Sequence, residues 1–203
     1  RGGFFMKKLI LVTSPPACGK TYISKELSKA LKHIVYLDKD TLIPLSKQIF
    51  VVANQEYNRS SDFFQKNIRD YEYETILALA MDSLDYADLV LINAPFTREI
   101  RDEQYIHNLK ANLAKKNAQL IVIWVDTAIN IVKERMISRN SDRDTWKLTH
   151  WDEYIAGVNF NIPATLDDPN IIDDLLIFHN SSEEEYQESM TNIVSIIEES
   201  IID

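Results

Sequence analysis

Residues Lys8 to Thr21 read Lys-Leu-Ile-Leu-Val-Thr-Ser-Pro-Pro-Ala-Cys-Gly-Lys-Thr, an apolar run that ends at Thr13 and passes directly into Ser14-Pro15-Pro16-Ala17-Cys18-Gly19-Lys20-Thr21. The second half has the length and ending of a phosphate-cradling loop, with Ser14 where that pattern asks for glycine. Gly-Lys followed by Ser or Thr arises by chance in roughly one chain in ten of this length, so the tripeptide alone decides little. The surroundings decide more. A buried strand precedes the loop, and Thr21 opens a segment in which Ile23, Leu27 and Leu31 fall on one helical face. A strand, a tight loop and a helix N-terminus in that order bring main-chain N–H groups and the helix dipole to bear on anionic oxygens.

Working outward, four more short apolar runs predict buried parallel strands: His33 to Leu37, Leu89 to Ile92, Leu120 to Val125 and Leu175 to Phe178. Helical spacing predicts helices over Thr21 to Leu31, Thr75 to Leu84, Arg98 to Lys116, Ala128 to Ser138 and Glu183 to Ile202. Such alternation means an α/β fold with a parallel sheet and helices on both faces. Two stretches interrupt it, Thr41 to Tyr73 and Arg139 to Asn161, and are expected as insertions over the C-terminal edge of the sheet, where open α/β folds place ligands.

A chain of 203 residues suffices for one α/β domain, and 45% hydrophobic residues place it among globular proteins. Residues 6–203 are expected to form that domain, with Arg1 to Phe5, before Met6, read as a cloning remnant. No uncharged apolar stretch approaches the roughly 18 residues needed to span a bilayer, and Lys7-Lys8 with the run Leu9 to Val12 is not expected to be a signal peptide. One cysteine, Cys18, cannot form an internal disulfide and has no zinc-type partners. The expectation is a soluble cytoplasmic protein. A net charge of −9 disfavours a polyanionic or membrane partner and leaves room for a small phosphorylated ligand in a locally positive pocket.

The second strand delivers Asp38-Lys39-Asp40 to the same sheet edge as the loop. Two carboxylates one residue apart can divide the work, one accepting a hydroxyl proton and one holding a metal through water. Either can instead cap the helical stretch that follows.

In this order, the loop, the acidic step and the arginines after the fourth strand resemble the small P-loop kinases of the nucleoside-monophosphate, shikimate and gluconate type. They resemble still more the AAA-like ATP-binding proteins grouped with polynucleotide kinase, zeta toxin and chloramphenicol phosphotransferase. The resemblance spans Met6 to Phe178. It implies a P-loop NTPase three-layer sandwich whose five parallel strands run in the order 2-3-1-4-5, with a substrate insertion (41–73) and an arginine lid (139–161). It also implies ATP and Mg²⁺ as ligands and transfer of the terminal phosphoryl group to a hydroxyl of a small molecule or nucleotide. The alternatives are a polynucleotide 5′-hydroxyl kinase and an ATP-binding switch or toxin component acting through a partner. Two departures stand out: Ser14 replaces the first loop glycine, and the third strand ends in Asn93, where many P-loop enzymes present an aspartate.

Candidate nucleotide contacts are therefore Ser14 together with Pro16, Ala17, Cys18, Gly19, Lys20, Thr21 and Tyr22. Lys20 is expected on the β- and γ-phosphates, and the metal on Thr21 with Asp38 and Asp40. After the fourth strand Arg135 and Arg139 lie four residues apart on one helical face, with Arg143 beyond. By resemblance Arg135 packs on the adenine, Arg139 and Arg143 reach the transferring phosphoryl group, and His179 and Asn180 border the base. The other reading of these arginines is a solvated helix face paired with acids, Asp144 among them. Arg59, Arg69, Arg98, Arg101, Glu72 and nearby aromatics are either acceptor contacts or ordinary surface and core residues. Trp146 and Trp151 are expected to pack the lid, and Cys18 to serve as a small loop residue rather than a reactive thiol.

Overall fold

The structure is a computed structural model that describes residues 6–141, 144–168, 170–171 and 173–199. Its centre is β1 (Lys7–Thr13), hydrogen-bonded on one side to β3 (Leu89–Asn93) and on the other to β4 (Ala118–Asp126). Outside these lie β2 (Ile34–Asp38) and β5 (Asp174–His179), giving a five-stranded, all-parallel sheet in the order 2-3-1-4-5. Both sheet faces are covered, which is why the inner strands read as unbroken apolar runs. In β1, Leu9 and Leu11 enter one core cluster while Ile10 and Val12 enter the other; β4 divides Leu120, Val122 and Trp124 from Ile121, Ile123 and Val125 in the same way.

The second cluster is closed by α1 (Lys20–Ala30), α6 (Ile129–Arg139) and α10 (Glu183–Glu199), through Ile23 and Leu27, Val132 and Met136, and Ile193 and Ile197. The first is closed by α4 (Arg69–Ser83), α5 (Glu103–Ala114) and the short α9 (Ala164–Asp167). A small separate core of Phe50, Phe64 and Ile68 holds the 41–73 stretch, built from α2 (Ile43–Val52), α3 (Asp62–Asn67) and the start of α4. The 139–161 stretch carries α7 (Thr145–Thr149) and α8 (Trp151–Gly157). Among the described residues no helix is long and apolar enough to cross a membrane.

Two helix limits differ from the sequence reading for visible reasons. The helix expected from Thr75 begins at Arg69, because Arg69 and Glu72 are buried charged residues that break the apolar pattern without breaking the helix. The helix expected over Arg98 to Lys116 is interrupted after a single 3₁₀ turn, Glu99–Arg101, and restarts beyond Asp102, whose carboxylate caps it by accepting from the Tyr105 N–H at 3.1 Å.

Register sets the stage for the site. Val12 and Asp38 both pair with Asn93, Thr13 pairs with Trp124, and Asp126 pairs with His179. The carboxyl ends of all five strands therefore face one edge. The strand order reverses beside β1, the place where folds of this kind leave a crevice for ligands.

Candidate functional site

The loop from Ser14 to Gly19 leaves β1 at Thr13 and enters α1 at Lys20. Two of its residues have left-handed backbones, Ala17 at φ 64° and Gly19 at φ 93°. Ser14 has no positive φ, so its position makes no conformational demand for glycine, and its hydroxyl donates to the Pro15 carbonyl at 2.7 Å. That accounts for the first departure from the loop pattern. Gly19 is required on two counts: its backbone is left-handed, and a Cβ there would lie 2.7 Å from Nδ2 of Asn180. No acidic residue occupies the first turn of α1, so its dipole is free to face an external anion.

Lys20 reaches across the strand ends to Asn93, donating to Oδ1 at 2.6 Å. The amide of Asn93 in turn donates to Oδ2 of Asp38 at 3.0 Å and approaches the Thr21 hydroxyl at 3.3 Å. Asn93 is thus a neutral relay that gathers Lys20, Thr21 and Asp38, and it is itself almost fully buried. Burial holds the Lys20 ammonium down to about 8, against the pull of Asp40 and Asp38. Asp38 is held from all sides, accepting the Asp40 N–H at 2.9 Å and the Tyr36 hydroxyl at 2.8 Å besides Asn93. Burial works against its ionisation, and these hydrogen bonds overcome it, so its pKa lies below the ordinary aspartate value. Tyr36 is a site residue that sequence reasoning missed; its place two residues before Asp38 on one face of β2 is the signal that could have found it.

Asp40 is different in kind. Its side chain is 69% exposed and lies 3.3 Å from the Lys39 ammonium. Lys39 is buried and runs between Asp40 and Glu72, whose carboxylate lies 3.2 Å away. Glu72 also accepts from both terminal guanidinium nitrogens of Arg59, at 2.8 and 2.7 Å, and from the hydroxyl of Ser46. Burial opposes ionisation of Glu72, and the bonds from Arg59 and Ser46 with the Lys39 charge outweigh it, taking its pKa to about 2. Neither Glu72 nor Arg59 is the free surface group that sequence reasoning allowed. Arg69 is likewise buried, bidentate to Glu99 at 2.7 and 3.2 Å, whereas Arg98 donates to Gln65 at 2.6 Å on the surface. A cavity of about 340 Å³ opens beside Ser14 to Pro16, with Trp124, Ile100 and Arg101 among its lining.

On the far side of the loop Arg135 donates to the main-chain carbonyls of Cys18 at 3.4 Å and Asn180 at 2.7 Å. Arg139 is held by Asp144, a fully buried carboxylate that also takes Lys147 at 3.3 Å. Arg143 lies outside the described residues. His179 is exposed, 3.3 Å from Asp126, and Tyr22 is exposed with its ring 5.8 Å from that of Tyr186. Trp151 packs on Tyr154, but Trp146 stands 52% exposed and stacks on His150 instead of entering the core. The Cys18 thiol is buried, and burial pushes its pKa up to about 11, which makes it unreactive at neutral pH.

No protein-family model matches the chain, and no curated protein matches it. Solved structures do. A candidate kinase of Chloroflexus aurantiacus is 20% identical with a TM-score of 0.65, over 96% of this chain and 98% of the other. Kti12 of Chaetomium thermophilum, solved with ADP–AlF3, is 17% identical with a TM-score of 0.56, over 95% and 98%. The PezAT toxin–antitoxin system of Streptococcus pneumoniae provides a third, 14% identical with a TM-score of 0.56, over 98% and 88%. At these identities the likeness establishes the fold alone, an α/β sandwich of the P-loop NTPase type with its five parallel strands in the order 2-3-1-4-5.

Proposed function

We propose that this chain, with its P-loop kinase fold, binds ATP and magnesium at the loop and passes the terminal phosphoryl group to a hydroxyl of a small acceptor. The observation that carries the reading is the meeting of Lys20, Thr21 and Asp38 around Asn93, at the mouth of a loop backed by the N-terminus of α1. The residues fit the ligands. Left-handed Ala17 and Gly19 curl the main chain, Lys20 supplies a cation at the strand edge, and the Thr21 hydroxyl with the ionised Asp38, the latter through water, would supply oxygen donors suited to magnesium. Bound magnesium would neutralise charge on the β- and γ-oxygens. That the Kti12 neighbour was solved with ADP–AlF3 supports a nucleotide as the ligand here.

Phosphoryl transfer asks little covalent help of a protein, so positioning and charge carry it. Lys20 draws on the phosphate oxygens, and Arg139, once released from Asp144, adds a second cation. Asp40 is the proton acceptor for the hydroxyl, because it has the more open face of the acidic pair; three donors fix Asp38 in place as a charged group that would hold magnesium through water. Asp40→Asn should lower kcat by about 10²- to 10⁴-fold with little change in the KM for ATP. Asp38→Asn should instead raise the magnesium concentration needed for half-maximal rate. Steady-state kinetics across a magnesium series separates the two.

The test of the function is acceptor-stimulated ADP formation across hydroxylated metabolites, nucleosides and oligonucleotides. Stimulation by a small hydroxylated compound is the expected result. Stimulation by oligonucleotides alone, steeply weakened by salt, would reassign the acceptor to nucleic acid. Tight ATP binding with no stimulation and a co-purifying partner would point to a switch, and failure to bind any magnesium nucleotide would remove the proposal.

A further inference from the structure

The carbonyl oxygen of Cys18 collects donors from three separate elements. Nδ2 of Asn180, after β5, lies at 2.7 Å, the hydroxyl of Thr127, after β4, at 3.2 Å, and NH1 of Arg135, on α6, at 3.4 Å. The donors are themselves tied together. Arg135 holds the Asn180 carbonyl through its other nitrogen, and the Asn180 N–H is fixed to the carbonyl of Asp126 at 2.9 Å. Thr127 and Asn180 are both buried. A lone main-chain carbonyl seldom needs so many partners, and the reason lies in the geometry of the peptide that carries it.

The described peptide bonds include no cis bond, and a trans peptide is planar with its C=O and N–H pointing in opposite directions. Fixing the Cys18 carbonyl toward Thr127, Arg135 and Asn180 therefore fixes the Gly19 N–H to point away from them. Several donors on one carbonyl also polarise the amide and strengthen its N–H as a donor. The packing leaves no slack, since even a methyl group on Gly19 would meet Asn180 at 2.7 Å.

We propose that Thr127, Arg135 and Asn180 are positioning residues that aim the Gly19 N–H at phosphate, so that Arg135 and Asn180 serve the phosphate end of the nucleotide and not its base. This rests on the nucleotide-binding reading and departs from the adenine role that resemblance gives these two residues. The loop is pre-organised from outside, and the ordering cost is met before the ligand arrives.

Binding of Mg-ATP and of magnesium tripolyphosphate, which has no base, measured by calorimetry on the full chain, tests this. Asn180→Ala and Arg135→Met should weaken both ligands by the same factor, about tenfold or more, and Thr127→Val should do so to a smaller extent. Loss of ATP affinity with tripolyphosphate binding unchanged would assign Arg135 and Asn180 to the base and overturn the proposal. So would wild-type affinity for both ligands in all three variants. Thermal melts identify any variant unfolded at the assay temperature, and the near-isosteric Thr127→Val then carries the comparison. In folded, ligand-free Asn180→Ala the Gly19 amide proton should move upfield as its peptide is depolarised; an unmoved resonance would also count against the proposal. A wild-type chain that binds neither ligand would instead reject the nucleotide reading itself.

Discussion

Lys20→Ala should lower acceptor-dependent ADP formation by a factor on the order of 10² to 10³ or more, while the chain should stay folded. The loss is large because Lys20 is the cation that the loop presents at the strand edge, in a site where burial makes charge strong. The fold survives because two effects oppose each other. The variant forfeits the 2.6 Å bond to Asn93, leaving a buried amide oxygen short of a donor at a cost of about 1–3 kcal/mol, but it also removes a cation whose burial is unfavourable. A pH series adds a second readout. Burial brings the Lys20 pKa to about 8 in the ligand-free site, and an anion binds to its protonated form. Nucleotide affinity should therefore fall as pH rises through about 8 in the wild type, and this part of the pH dependence should vanish in Lys20→Ala. Undiminished phosphotransfer by a folded Lys20→Ala protein would refute the assignment of the loop.

The parts of the molecule legible in the sequence are those whose physics is local. Leu120 to Val125 reads as a strand because it is buried on both faces, and Ser14 to Thr21 reads as a loop because Gly19 and the helix that follows speak for it within eight residues. What stayed illegible depends on partners far apart in the chain. Glu72 and Arg59 are 13 residues apart, and Lys39 is 33 from Glu72; each in isolation looks like a surface charge, and only the fold makes them one buried cluster. Arg69 reads as solvent-facing until Glu99, 30 residues on, is placed against it. Asn93 is informative for the same reason: the sequence marks it as a departure from the usual aspartate, and what it does instead emerges only when Lys20 and Asp38 arrive from two other elements.

Glu72→Ala should be the most destabilising single change around the site, by about 3–5 kcal/mol, since it strips a buried ion cluster of its only shared anion. The carboxylate is 4% exposed and is bonded by Arg59 through two nitrogens, by Lys39 at 3.2 Å and by Ser46. Removing it leaves Lys39, itself only 5% exposed, with Asp40 at 3.3 Å as its one ion-pair partner among the described residues. Urea unfolding should show the midpoint fall with little change in slope, whereas Glu74→Ala, at an exposed position on the same helix, should stay within about 0.5 kcal/mol of wild type. The pH dependence follows from the depressed pKa. The folded value of about 2 lies below the unfolded carboxylate, so the contribution of Glu72 is fully present above the unfolded pKa and is lost as pH falls through about 2. The stability gap between wild type and Glu72→Ala should accordingly narrow on acidification below about pH 5; a gap that stays constant down to pH 2 would show that shape, not charge, is what Glu72 contributes. Function should suffer beyond stability. The Lys39 ammonium lies between Glu72 and Asp40, so losing Glu72 should let it shift onto Asp40 and close the open face proposed to accept the hydroxyl proton. At a temperature where the variant is still folded, kcat should fall while nucleotide affinity holds, because Lys20, Thr21 and Asp38 depend on Asn93 and not on Glu72.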